Sequence, residues 1–87
     1  MTTSGPNTDR LIDLDLRLVE MIVEEITFGQ PVEPATDLLL TGLVDSLGVV
    51  QIVAWLEDHL EIEIDPVDIV LENFQTIDLM VAYANRR

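Results

Sequence analysis

From Ser46 to Leu60 the chain reads SLGVVQIVAWLEDHL, and at 100° per residue Val49, Ile52, Val53, Leu56 and Leu60 fall within one narrow arc. A stripe of that period is buried as a helix, because a strand would send its members to opposite faces. The same period runs through TDRLIDLDLRLVEMIVEEI. There Leu11, Leu14, Leu18, Met21 and Ile22 share a face, which Ile12, Val19, Val23 and Ile26 widen. The alternation in LIDLDLRL alone would fit a strand, but the helical spacing continues well beyond a strand's usual length. A first helix is therefore expected from Asp9 to Ile26, with Thr8 as its cap and Asp9 in its first turn. Two shorter helices follow the second. Asp65 caps one that starts at Pro66, carries Asp68 in its first turn and ends near Leu71. Thr76 caps the other, from Ile77 to about Ala84, with Ile77, Met80, Val81 and Ala84 inward and Arg86 and Arg87 at its carboxyl end. The fold class expected is all-α: a small four-helix bundle with a long loop between helices 1 and 2.

That loop, FGQPVEPATDLLLTGLV, holds two prolines and two glycines. Connections this long are usually either functional or disordered, and Leu38, Leu39 and Leu40 are expected to pack beneath it. Residues 1–8, MTTSGPNT, read as a flexible tail, 9–85 as one domain and 86–87 as its end. The tail has neither the basic nor the hydrophobic region of a signal peptide. No apolar run approaches the roughly 18 residues that span a bilayer. A cytoplasmic protein is expected.

Composition removes most chemistry. The sequence has no cysteine, so it can form no disulfide and no thiolate site. It has no lysine for a Schiff base or a P-loop, and one histidine, His59, too few for a histidine-rich metal site. Seventeen carboxylates face four arginines, and between Val19 and Asn85 there is no basic residue apart from that histidine. Such a field repels nucleic acid and anionic membranes and favours basic protein surfaces. The 48% hydrophobic content argues for a folded domain rather than an acidic disordered chain.

Ser46, one of two serines, follows Asp45 at the mouth of the second helix. With Asp45 as the cap, Ser46 is the first helical residue, and its hydroxyl sits at the positive end of the helix dipole. A phosphate esterified there is favoured by the local backbone N–H groups. Asp45 beside it is placed to help bind a divalent metal in a modifying enzyme. No base lies nearby in sequence, since His59 is about three and a half turns away, so a serine hydrolase is not expected. Asp-Ser at a helix start is, taken alone, ordinary capping chemistry.

The wider context is more specific. GLVDSL, from Gly42 to Leu47, resembles the attachment motif of the acyl carrier proteins, the phosphopantetheine-binding carrier domains. LEDHLEIEID resembles the acidic end of their second helix with its following turn, and ENFQTI, Glu72 to Ile77, the segment that opens their last helix. The resemblance covers Leu11 to Tyr83. It implies a carrier that is not itself an enzyme, with a 4'-phosphopantetheine arm attached to Ser46, Asp45 in support, and an acyl or aminoacyl group held on the arm as a thioester. It also implies a magnesium-dependent phosphopantetheinyl transferase that draws the arm from coenzyme A. The missing thiol arrives on the cofactor.

Departures bear on subtype. Carriers of fatty acid synthesis usually read LGADSL, whereas here Leu43 stands two before the aspartate and Gly42 three before it. The GGDS of peptide-synthetase carriers is absent, and Gln51 stands where many fatty-acid carriers have a carboxylate. TGLVDSLGVVQIV looks more like stand-alone carriers served by AMP-forming ligases, including D-alanyl carriers. The resemblance places partner contacts at Leu47, Gln51, Ala54, Glu57, Asp58 and Asp68, although acidic residues on a helix are commonly just solvated. Trp55 is expected to pack over the first helix, and His59 to suit a helix carboxyl end. A monomer is expected, with no metal of its own. The rival reading is an unmodified acidic interaction module that binds a basic partner through helix 2. A calcium-binding protein is excluded, because DLD at Asp13–Asp15 lacks the twelve-residue ligand pattern.

Overall fold

The computed structural model describes residues 11–86. Helix α1 spans Leu14–Glu25, α2 Ser46–Leu60, α3 Leu71–Phe74 and α4 Ile77–Arg86, with a 3-10 turn at Pro66–Asp68. All regular structure among the described residues is helical, as the apolar periods predict. No helix among them is long and apolar enough to cross a membrane.

Helix α2 has the expected bounds, but the expected first helix is interrupted before α1. Asp13 sits at φ 58°, in the left-handed region, and breaks the expected helix between Leu11, itself helical, and Leu14. Aspartate tolerates that conformation better than most side chains. Thr8 and Asp9, like the tail at 1–8, lie outside the described residues. The expected third helix is replaced by two pieces. Asp65 does cap a turn beginning at Pro66, accepting from the Val67 N–H at 3.0 Å. Ile69 at ψ 77° and Val70 at ψ 163° then pull the backbone out of helix, and α3 starts afresh at Leu71. Both are β-branched residues, which lose side-chain freedom in a helix.

One core joins all four helices. Leu14, Leu18 and Ile22 of α1 meet Ile52, Leu56 and Leu60 of α2, with Phe74 of α3 and Ile77 and Met80 of α4. Val49, Val53 and Val81, expected inside, are half-buried at its edge. Tyr83 is buried where the period did not place it: its ring packs at 5.9 Å from Phe74 and its hydroxyl donates to Asp68 at 2.9 Å. Trp55 is half-buried beside Arg17, Glu20 and Met21 of α1 and stacks on His59 at 4.6 Å.

The long loop is tied down through its middle. Of its three consecutive leucines Leu38 is fully buried, Leu39 partly buried and Leu40 71% exposed, so only the first two lie beneath it. The Leu38 N–H donates to the Gln75 carbonyl at 2.8 Å, and the Asp78 N–H to the Pro34 carbonyl at 3.0 Å. Asp37 accepts from the Leu40 N–H and from the Gln75 side-chain amide, each at 2.9 Å. The Gln75 bond and then the Leu40 bond hold the Asp37 carboxyl below its usual range, against an opposing effect of burial that exceeds the further contribution of Leu39. A depressed carboxylate contributes stability that is present above its unfolded pKa and lost as pH falls through the folded one. Asp37→Ala should therefore lower the Tm at neutral pH, and the gap from wild type should close in acid. A gap independent of pH in parallel melts would show that the carboxylate's charge is not what anchors the loop.

With a net charge of −13, self-repulsion opposes this fold. The Tm should rise with added salt, because screening shortens the reach of the repulsion to about 10 Å at 0.1 M. A Tm flat across salt concentrations would contradict this.

Candidate functional site

The chain reaches α2 by way of two adjacent constraints. Gly42 sits at φ 80°, a conformation that a side chain would strain, and this explains a glycine three places before Asp45. Val44 then drops into the core, 2% exposed, with its N–H donating to the Leu38 carbonyl at 2.9 Å. The very next residue is at the surface. Asp45 is extended at φ −94°, ψ −173°, and its carboxylate accepts from the Gly48 N–H at 2.9 Å, as a helix cap does.

Ser46 follows as the first residue of α2, exposed, as expected. The helix dipole and the first-turn amides put partial positive charge at this end, beside the Asp45 carboxylate that takes the Gly48 N–H. A hydroxyl here is open to a large modifying enzyme, and a phosphate on it meets a favourable local field. No cluster of three or more His, Asp or Glu among the described residues is placed to hold a metal.

Gly48 was not singled out in the sequence, yet it sets the geometry. It is buried in the first turn of α2, and a Cβ on it would lie 2.7 Å from Val44 Cγ1 and 3.4 Å from Ile26 Cγ2. The start of α2 therefore rests directly on the end of α1. A glycine inside an apolar helical pattern was the available signal. Overpacking costs about 1–3 kcal/mol, offset by up to about 1 kcal/mol of helix propensity that alanine restores. Gly48→Ala should thus be destabilised by about 1 kcal/mol in thermal or urea melts. An equally stable variant would mean that Val44 yields freely.

Four of the expected contact residues, Leu47, Gln51, Ala54 and Asp58, are exposed and recur at helical spacing along one face of α2. Leu47 is 68% exposed, and Val50, not anticipated, is 61% exposed beside it. Glu57 and Asp68 differ, being half-buried and committed to the fold. Glu57 Oε2 accepts from the Ile64 N–H at 2.9 Å, and Asp68 holds the Tyr83 hydroxyl.

A groove of about 310 Å³ opens beside Asp45 and Leu47, between the end of α1, the loop and the start of α2. Ile26, Phe28, Leu43 and Gln51 contribute to its walls. Phe28 follows the end of α1, where the Thr27 N–H reaches back to the Ile22 carbonyl and the Gly29 N–H to that of Val23. Closing the helix this way puts Phe28 at φ 53° and Gly29 at φ 103°.

A family model described as a phosphopantetheine attachment site matches residues 17–84, from within α1 to near the end of α4. Comparison with the curated proteins found no match.

Proposed function

Since the chain belongs to the phosphopantetheine-attachment family, which implies a covalently held 4'-phosphopantetheine, we propose that Ser46 bears that group and that the chain carries an acyl or aminoacyl cargo between enzymes. The observation that carries this reading is an exposed serine opening α2 immediately after its capping aspartate. The arm, when attached, supplies the thiol to which a cargo is bound as a thioester, in a sequence that has no thiol of its own. The chain's residues do the rest. Val44 and Gly48 fix the start of α2 against the core, Asp45 caps it, and the Ser46 hydroxyl is presented at its positive end.

The reading assigns no catalytic group to the chain. Leu47, Gln51, Ala54 and Asp58 form the face offered to partners, with Glu57 and Asp68 at its border. An apolar contact at Leu47 on a chain of net charge −13 suits enzymes with basic surfaces: a phosphopantetheinyl transferase first, then an AMP-forming ligase that loads the cargo. Gln51 in place of a carboxylate supports a ligase-served carrier over a fatty-acid synthase one.

Thiol titration tests this. Coenzyme A, magnesium and a broad-specificity phosphopantetheinyl transferase should take the purified chain, after removal of free coenzyme A, from no reactive thiol to one per chain. A folded chain that gains no thiol with two unrelated transferases would overturn the proposal in favour of an unmodified acidic adaptor.

A further inference from the structure

We infer that the groove between the end of α1, the loop and the start of α2 is a cradle for the proximal part of the arm, with the Phe28 ring as its stacking wall; this rests on the proposed attachment at Ser46. Three independent features lead there. The first is position: Asp45 and Leu47, the chain neighbours of Ser46, line the groove, and Ser46 itself stands beside it rather than in its wall, within reach of a long flexible arm. A group tethered at Ser46 meets this surface at the effective concentration of a short linker, of order millimolar, so even weak contacts are populated.

The second is Phe28 itself. It is 82% exposed and held at φ 53°, a region that bulky side chains rarely occupy. Neither the core nor the helix end requires an aromatic ring there; glycine or asparagine closes a helix in this conformation with less strain. A strained backbone carrying an exposed aromatic side chain at the rim of a groove is a feature of binding surfaces rather than of packing.

The third is chemistry. Beyond its phosphate the arm presents a gem-dimethyl group, a hydroxyl and two amides. Ile26, Phe28, Leu43 and Leu47 offer apolar surface for the methyl groups. The Gln51 amide and the Glu25 carboxylate, also on the groove wall, offer partners for amide N–H groups. The carboxylates disfavour the phosphate inside the groove, and it remains at the start of α2. At about 310 Å³ the groove stands at the lower end of the roughly 300–1,000 Å³ typical of small-molecule sites. It accommodates part of the arm and leaves the thiol and its cargo outside, open to a partner on the α2 face.

The experiment compares NMR spectra of the unmodified and modified chains, with modification verified by intact mass. The gem-dimethyl resonances of the attached arm should shift upfield relative to free pantetheine and show cross-relaxation to the Phe28 ring, with amide shifts at Gly42, Leu43 and Gln51. Modified Phe28→Asn, whose melt should match or exceed that of wild type, should return the methyl resonances to their free positions. Methyl resonances at free positions in the modified wild type, or amide shifts confined to 67–71, would overturn the cradle while leaving attachment intact. An unmodified mass would instead overturn the attachment on which it rests.

Discussion

Phe74→Ala should unfold much of this domain. Phe74 is 1% exposed and is the one buried residue of α3, so its ring alone anchors that four-residue helix to the core. Isolated helices this short have no stability of their own. Truncating a buried phenylalanine costs about 3–5 kcal/mol, and a chain of this length has in total only about 4–13 kcal/mol at 0.05–0.15 per residue. Charge repulsion places this chain toward the lower figure. The Tm should fall by at least about 12 °C, at about 4–8 °C per kcal/mol. Hydrogen exchange should accelerate first at 71–76, and then at the loop residues bonded to Gln75. A fall of only a few degrees would mean that α3 is held by its hydrogen bonds instead.

Ser46→Ala should do the opposite: leave the fold intact and abolish the modification. The serine is exposed and makes none of the contacts that hold α2, so alanine in the first turn changes stability by no more than about 0.5 kcal/mol. Asp45→Ala, one residue earlier, removes the acceptor for the Gly48 N–H and should cost about 1 kcal/mol. The pair separates scaffold from chemistry. After treatment with transferase, Ser46→Ala should contain no thiol, whereas wild type contains one. A Ser46→Ala chain that is modified as wild type is would place the arm elsewhere.

Much of this was legible because it is local. The bounds of α2, the caps at Asp45 and Asp65 and the start of α4 all depend on side chains within a few residues of one another, and the sequence shows them. Thr76 does cap α4, accepting from the Leu79 N–H at 3.1 Å. What could not be read is tertiary. Nothing near Asp37 announces that its partner is Gln75, 38 residues away, and nothing near Tyr83 announces Asp68. The first of these bonds helps turn a loop that composition would allow to be disordered into part of the scaffold. The left-handed residues were hidden for another reason: Asp13, Phe28 and Glu61 are not glycines, and the turns they make are dictated by the helix ends around them. Glu57 and Asp68 mark the limit of reading charge from a helical wheel. Both lie where a solvated carboxylate is expected, and both accept hydrogen bonds inside the fold.

The most direct test of attachment at Ser46 is to fragment the transferase-treated chain and find the residue that bears the added mass. One phosphopantetheine on the peptide that contains Ser46, and none on the peptide that contains Ser4, is the result this account predicts. The arm on Ser4, or no arm on a folded chain, would contradict it.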